Sequence, residues 1–304
     1  MINKDFNSIL EIMQAFPNEQ ACIEHLEILR WNGNIISPFD ETSKVYKCKG
    51  NKYRCKNTNK YFNVKTNTLF DNTKIDLQKW FLAIWLVTSH KKGISSLQLA
   101  RDINVTQKRA WFMLQRIRNC FGQDNDGDLD GTVEIDETFV GGKNKNIHKD
   151  KKVPMSQGRS FKDKTPVFGM LQRSGKLIAK VVSDTSIKSL APRIFQHITL
   201  GSTIYTDEWN YGNLSKYFNH RFIRYAAKIY VNGDVYTNTI EGFWGIFKRG
   251  IVGIYQSVSR KHLQRYVDEF VFRYNSRKSL EYSRFNLMLK NLENKLTYTN
   301  LIHA

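Results

Sequence analysis

Three carboxylates set far apart in the chain each fall on a regular element, and a fold that serves all three must bring those elements together. Asp136 lies in Thr132-Val-Glu-Ile-Asp-Glu-Thr-Phe-Val140, where Val133 and Ile135 alternate as in a buried strand. Asp207 closes the strand-like Thr203-Ile-Tyr-Thr-Asp207. Glu241 lies in Tyr236-Thr-Asn-Thr-Ile-Glu-Gly-Phe-Trp-Gly-Ile-Phe-Lys-Arg-Gly250, an amphipathic helical pattern that puts Lys248 two turns on along the same face. A carboxylate in a buried strand is costly unless something pairs with it, and sites in α/β folds favour the carboxyl ends of strands.

The composition points to a polyanionic partner. Lys and Arg number 47 against 28 Asp and Glu, a net charge of +19. This favours nucleic acid first and an anionic membrane second. A gene biased towards Lys, Asn and Ile codons would give the same excess. Here, however, the cations recur beside aromatic and helix-turn-helix-like features, which supports DNA. The longest apolar run, Trp80-Phe-Leu-Ala-Ile-Trp-Leu-Val87, is far short of a membrane span and reads as a core helix. The N-terminus lacks the basic and apolar regions of a secretory signal, so the expected location is cytoplasmic, associated with the nucleoid. The four cysteines, Cys22, Cys48, Cys55 and Cys120, form no Cys-x-x-Cys pair and are expected to be free thiols.

The expected fold class is a multidomain α+β chain. Residues 1–30 read as helices broken at Pro17-Asn18. Residues 31–70 read as a hairpin region turning at Lys49-Gly-Asn51. Residues 71–121 read as a helix-turn-helix, with a second helix capped by Thr106 and an inner core of Ala100, Val105, Trp111 and Leu114. Gln107, Lys108, Arg109, Gln115, Arg116 and Arg118 are left outward, which suits a major groove. An ordinary helical hairpin is the plainer alternative. Residues 122–131 are an acidic linker; they have the composition of a calcium loop but lack its terminal Glu. Residues 132–290 carry strand patterns at 132–140, 165–172, 176–183 and 202–206, and helix patterns at 186–197, 209–217, 239–250 and 260–275. The first three strands are expected to be antiparallel, within a mixed five-stranded sheet flanked by helices, and 291–304 form a tail. A basic loop over 141–164, with Lys143, Lys145, Lys149, Lys151, Lys152, Arg159, Lys162 and Lys164, is expected to be either mobile or clamped on phosphates, and mobile without DNA.

Asp136, Asp207 and Glu241 together have the chemistry to hold two Mg²⁺, with Mn²⁺ as substitute, for phosphoryl transfer. Lys248 is placed to touch a DNA phosphate or base, with Arg249 beside it. Asn238 lies one turn before Glu241 and is the favoured accessory group, since an amide oxygen can also bind metal, while Glu134 stays open because it shares the strand face of Asp136. Trp209, Tyr211 and Trp244 are expected in the core rather than stacked on a base. The histidines show no metal-ligand spacing.

The ordered motifs resemble those of DDE transposases of bacterial insertion sequences, in the group with a zinc ribbon, a helix-turn-helix and a ribonuclease H-like domain. The resemblance rests on Tyr61-Phe-Asn-Val-Lys-Thr-Asn-Thr-Leu-Phe70, Lys79-Trp-Phe-Leu-Ala-Ile-Trp85, Thr88-Ser-His-Lys-Lys-Gly-Ile-Ser-Ser96 and Glu134-Ile-Asp-Glu-Thr-Phe-Val-Gly-Gly-Lys143. It continues through Tyr205-Thr-Asp207, Asn238-Thr-Ile-Glu-Gly-Phe-Trp244, Lys248-Arg-Gly250, Val258-Ser-Arg-Lys-His-Leu263 and Glu269-Phe-Val-Phe-Arg-Tyr-Asn-Ser-Arg277. It implies Asp136, Asp207 and Glu241 as metal-binding acids. It also implies hydrolysis at the element's 3′ end, strand transfer into target DNA, and a homo-oligomer on DNA. Some members carry Asn at the third acidic position, so Asn238 and Glu241 both stay open as that ligand. Two departures stand out. Ser37-Pro-Phe-Asp40 and Cys55-Lys-Asn-Thr58 occupy the ribbon's two metal knuckles, which implies a ribbon without zinc, held by Tyr46, Tyr53, Tyr61 and Phe62. Tyr236 stands where the family often has His. An idle DNA-binding relative that represses the active enzyme is the alternative function; a plain nuclease of the same fold would not need the helix-turn-helix.

Overall fold

A computed structural model describes residues 5–141, 149–151, 164–207, 212–222 and 236–303. They fall into two units, one of Met1–Phe121 with Lys278–Ala304 and one of Gly122–Arg277. In the first, Ser8 and Asn18 cap helices α1 (Ile9–Ala15) and α2 (Glu19–Trp31) by accepting from the amides of Glu11 and Ala21. Strands β1 (Val45–Cys48), β2 (Lys52–Cys55) and β3 (Tyr61–Phe62) form an antiparallel sheet in that order. The β1–β2 turn needs positive φ at Gly50 (74°) and Asn51 (55°). Only half of the expected aromatic clamp is inward. Tyr53 and Phe62 are buried with ring centres 5.4 and 6.1 Å from Trp31, whereas Tyr46 and Tyr61 stand in solvent. Period-two alternation allows no other result: Tyr46 and Tyr61 pair with Arg54, one position out of phase with Tyr53.

Helices α3 (Leu77–Ser89), α4 (Ser96–Asp102) and α5 (Gln107–Asn119) follow, with Ser95 and Thr106 capping the last two. Ala100, Ala110, Met113, Leu114 and Ile117 are buried, while Val105 and Trp111 are only partly covered. Thr106, Gln107, Lys108 and Arg109 are exposed, as the outward reading requires. Gln115, Arg116 and Arg118 are buried, which corrects it. Arg116 donates to the carbonyls of Leu296 (3.0 Å) and Asp71 (2.9 Å). Burial lowers its pKa, with Asp71 opposing the shift. It is thus a structural tie and not a DNA contact.

The second unit is built on β4 (Thr132–Val140), β5 (Thr165–Gln172) and β6 (Leu177–Val181), which are consecutive and antiparallel. Helix α6 (Ile187–His197) then crosses over to β7 (Thr203–Thr206), which runs parallel to β4, and β8 (Asn219–Phe222) runs parallel to β7. The sheet order is β6-β5-β4-β7-β8, a mixed five-stranded sheet. One face packs Val133, Ile135, Phe168 and Met170 with Leu190 and Ile194 of α6. The other packs Val167 and Leu171 with Ile240, Trp244 and Phe247 of α7 (Asn238–Gly250) and Val267 and Val271 of α8 (Leu263–Asn275). Residues 122–131 are no free linker. Asn125 is fully buried, donates to the Ala179 carbonyl and Asp268, and accepts from the Ala179 amide. Of the expected helix over 209–217 only a single turn, Gly212–Lys216, is described.

Helices α9 (Glu281–Lys290) and α10 (Tyr298–His303) return to the first unit, so the expected domain end at 290 moves to Arg277. The reason is apolar: Phe285 is fully buried, 5.2 Å from the ring of Phe6 and 5.4 Å from that of Phe81, and Leu69 donates to the Leu292 carbonyl. Among the described residues no helix is long and apolar enough to cross a membrane. Phe285→Ala is expected to destabilise the first unit by about 3–5 kcal/mol, a fully buried ring being lost. Denaturant unfolding checks this, and an unchanged midpoint would show that 278–303 is a dispensable tail.

Candidate active site

The parallel pairing of β4 with β7 explains how two acids distant in sequence meet. Glu134 is level with Tyr205, so two residues further on each strand reaches its carboxylate, Asp136 on β4 and Asp207 just past the end of β7. Helix α7 packs on the sheet face that carries Glu134 and Asp136. Its approach is permitted by Gly169, the β5 partner of Asp136: a β-carbon there would lie 2.5 Å from Trp244 and 3.0 Å from Ile240. Trp244 is buried, as expected of a core residue.

Asp136, Asp207, Glu241 and Lys248 line one cavity of about 650 Å³, together with Glu137, Thr138, Phe139, Lys164, Trp244 and Gly245. Asn238 and Arg249 are exposed on α7 and lie outside that lining. Thr106, Gln107, Lys108 and Arg109 belong to the other unit. Glu208, Trp209, Tyr211 and most of the basic loop, including Lys143, Lys145, Lys152, Arg159 and Lys162, lie outside the described residues. Lys164, at the loop's far end, is a cavity cation that the sequence offered only as one of many.

Burial, then the charges of Asp207, Glu137 and Glu241, push the Asp136 carboxyl up to about 8, against a bond that its Oδ1 accepts from the Glu137 amide at 2.8 Å. A divalent cation beside such a carboxyl would favour its ionised form. The donor set is all hard oxygen, which fits Mg²⁺ or Mn²⁺. Among the described residues no three such side chains are drawn together as a finished metal shell. The acids line the cavity wall instead.

Glu134 does a different job. It is fully buried and accepts from the Thr239 amide (3.1 Å), the Ile240 amide (3.0 Å), the Thr239 hydroxyl (2.9 Å) and Arg173 Nε (3.0 Å). A carboxylate at the first turn of α7 satisfies orphan amides and complements the helix dipole. It therefore fixes the helix that carries Glu241. Arg173 also donates to the Tyr236 carbonyl at 2.9 Å, and its guanidinium lies 3.7 Å from the Tyr236 ring centre and 4.6 Å from that of Tyr205. Strand alternation placed Glu134 on the right face, but no sequence signal pointed to Arg173.

The ribbon positions do not fit zinc. Burial pushes the Cys55 thiol up, yet hydrogen bonds with Ser37, Ser43 and Thr58 outweigh it and bring the thiol down to about 6. Asp40 is engaged by Asn57 and Thr42. One thiol among hydroxyls is not a tetrahedral zinc donor set.

The chain is similar to known proteins over the second unit and, for one relative, over most of its length. Residues 128–275 match the family model of the ISXO2-like transposase domain. Over 278 residues the chain is 27% identical to an uncharacterized protein in transposable element ISH50 of Halobacterium salinarum, spanning 86% of this chain and 92% of that one. It is also similar to the Mos1 strand transfer complex (11% identity, TM-score 0.28, 71% of this chain and 78% of that one). A pre-cleavage Mos1 transpososome is similar at 13% identity and TM-score 0.23, over 67% of this chain and 75% of that one. At such scores the structural likeness decides nothing about this chain.

Two outcomes are expected from this geometry. The folded Asp136 carboxyl keeps its proton to about 8, whereas an unfolded one loses it near about 4. Between those values the folded state binds more protons, so metal-free stability falls as pH rises. Asp136→Asn is expected to flatten that slope and to raise the melting temperature in EDTA by a few degrees at the alkaline end; an unchanged slope would assign the titration elsewhere. Glu134→Ala takes the carboxylate partner from Arg173 and from the α7 amides and is expected to cost at least about 3 kcal/mol, read from urea unfolding.

Proposed function

We propose, since residues 128–275 of this chain match the family model of the ISXO2-like transposase domain, that it binds the ends of its insertion sequence and catalyses metal-dependent hydrolysis at the 3′ end, followed by strand transfer into target DNA. The observation that carries this reading is the convergence of Asp136, Asp207 and Glu241, from two strands and a helix, on one cavity that also holds Lys164 and Lys248. Asp136, Asp207 and Glu241 would hold two Mg²⁺, or Mn²⁺. When bound, those ions supply an activated attacking oxygen and charge relief at the leaving oxygen.

The chain's own groups do the rest. Lys164 and Lys248 are cations on the cavity wall, suited to the phosphates flanking the scissile bond. Glu134 is a positioning residue, since it sets α7 and hence Glu241. Glu241 rather than Asn238 is favoured as the third acid, because Glu241 lines the cavity and Asn238 does not. In the first unit, α4 and α5 are read as a helix-turn-helix, with Thr106, Gln107, Lys108 and Arg109 at the exposed start of α5 facing the major groove and Arg249 of α7 as a further phosphate contact. Synapsis of two element ends would call for a homo-oligomer. The Ser37 and Thr58 departures from the metal knuckles keep an idle DNA-binding relative as the second reading.

The test is cleavage of the element's own end DNA with Mg²⁺ or Mn²⁺. Asp136→Asn, Asp207→Asn and Glu241→Gln are each expected to reduce 3′-end cleavage at least about a hundredfold while end binding persists, several kcal/mol of metal assistance being lost. Asn238→Ala is expected to retain activity. Binding without cleavage by the parent chain under either metal would assign it to the idle class.

A further inference from the structure

The outer face of the β1–β3 sheet is not explained by the cavity chemistry. Its inner face is filled by Tyr53 and Phe62 against Trp31. On the outer face the strand register sets Tyr46, Arg54 and Tyr61 side by side across the three strands. The next rows along the same face hold Lys52 opposite Cys48 and, past the strand ends, Lys56, whose amide bonds the Lys44 carbonyl at 3.0 Å. Tyr61 is 61% exposed and Tyr46 42% exposed, and Lys44, Lys52, Arg54 and Lys56 are exposed with them. No carboxylate occurs in the sequence between Glu41 and Asp71. The Lys44 ammonium lies 5.6 Å from the Tyr46 ring centre, and Arg54 bonds the Asn59 side chain at 2.7 Å.

A half-packed sheet normally turns small or polar groups to water. Here two aromatic rings, about 10 Å apart across two inter-strand spacings, sit among cations on three strands that carry no carboxylate. The cations call for phosphate. The rings call for a flat apolar partner, which rules out a purely electrostatic contact. Bases in a duplex are stacked on one another and present only their edges in the grooves, whereas unpaired bases offer their faces. We propose that this sheet face is a platform for single-stranded nucleic acid, on which Tyr46 and Tyr61 each stack a base while Arg54, Lys44, Lys52 and Lys56 hold the connecting phosphates. The inference rests on the transposase reading only for the supply of single strands, since a cut DNA end frays. The binding itself needs neither the metal nor Asp136.

The experiment is fluorescence anisotropy of the full-length chain in EDTA, with a labelled oligothymidylate and a mixed-sequence duplex of equal length as probes. Tyr46→Ala and Tyr61→Ala are each expected to weaken oligothymidylate binding roughly five- to a hundredfold, with little change on the duplex. Tyr46→Phe and Tyr61→Phe, which keep the ring, are expected to bind like the parent. Arg54→Ala is expected to reduce the salt dependence of binding by about one phosphate contact. Equal losses on both probes, losses on the duplex alone, or no loss in the alanine variants would each overturn the proposal. Failure of the Phe variants to bind, with an unchanged melting temperature, would overturn the stacking role. Cleavage of end DNA is scored separately with Mg²⁺, so ring-dependent binding without cleavage would leave this inference standing and remove the transposase reading.

Discussion

The buried carboxylate of Glu134 holds the second unit in its working shape. Placing an ion where no water reaches it is tolerable only when every lone pair is answered. Here two backbone amides, one hydroxyl and one guanidinium answer them. The same bonds cap α7, so strand β4 and helix α7 are clamped at one point. Asp136 lies two residues along the strand from that clamp and Glu241 lies in the first turn of the helix. The Arg173 guanidinium extends the clamp to Tyr236 and Tyr205. Tyr236, which stands where the resembled family often has His, is thereby integrated into the structure.

Next to this fully partnered acid sits one with a single donor among the described residues. Asp136 shares the sheet face of Glu134 but accepts from the Glu137 amide, and burial with the charges of Asp207, Glu137 and Glu241 pushes its carboxyl up to about 8. Two carboxylates on one strand thus differ in kind. One is fully partnered by protein, which suits a permanent structural role. The other shares a cavity wall with Asp207, Glu241, Lys164 and Lys248, which suits a partner that comes and goes. The absence of a side chain at Gly169 makes the arrangement possible, since Trp244 occupies the space where a β-carbon would stand.

Much of this was legible in the sequence. The strand at 132–140 follows from Val133 and Ile135 alternating with polar residues, and the cap at Thr106 announces its helix. The errors share a physical origin: long polar side chains whose partners are remote in sequence. Arg116 reads as an outward cation on a basic helix, but its acceptors are the carbonyls of Asp71 and Leu296, far up and down the chain. Asn125 reads as a linker residue, but its partners are at Ala179 and Asp268. Tyr46 and Tyr61 read as clamps because aromatic residues usually are, and only the pairing with Arg54 shows which side of the sheet they occupy.

By itself the sequence determined the periodicities, and with them the identity of the elements and the face on which each acid would fall, because local sterics and apolar spacing act over a few residues. It also determined the charge excess and the order of the three acids. Only the tertiary structure decided which strands became neighbours and hence that Asp136 and Asp207 meet at one cavity. The same packing made Glu134 a clamp, drew Arg116 inside, and sent residues 278–303 back to the first unit. Those outcomes turn on the desolvation of charged groups and on apolar surfaces that find each other across the whole chain, and such terms have no local signature.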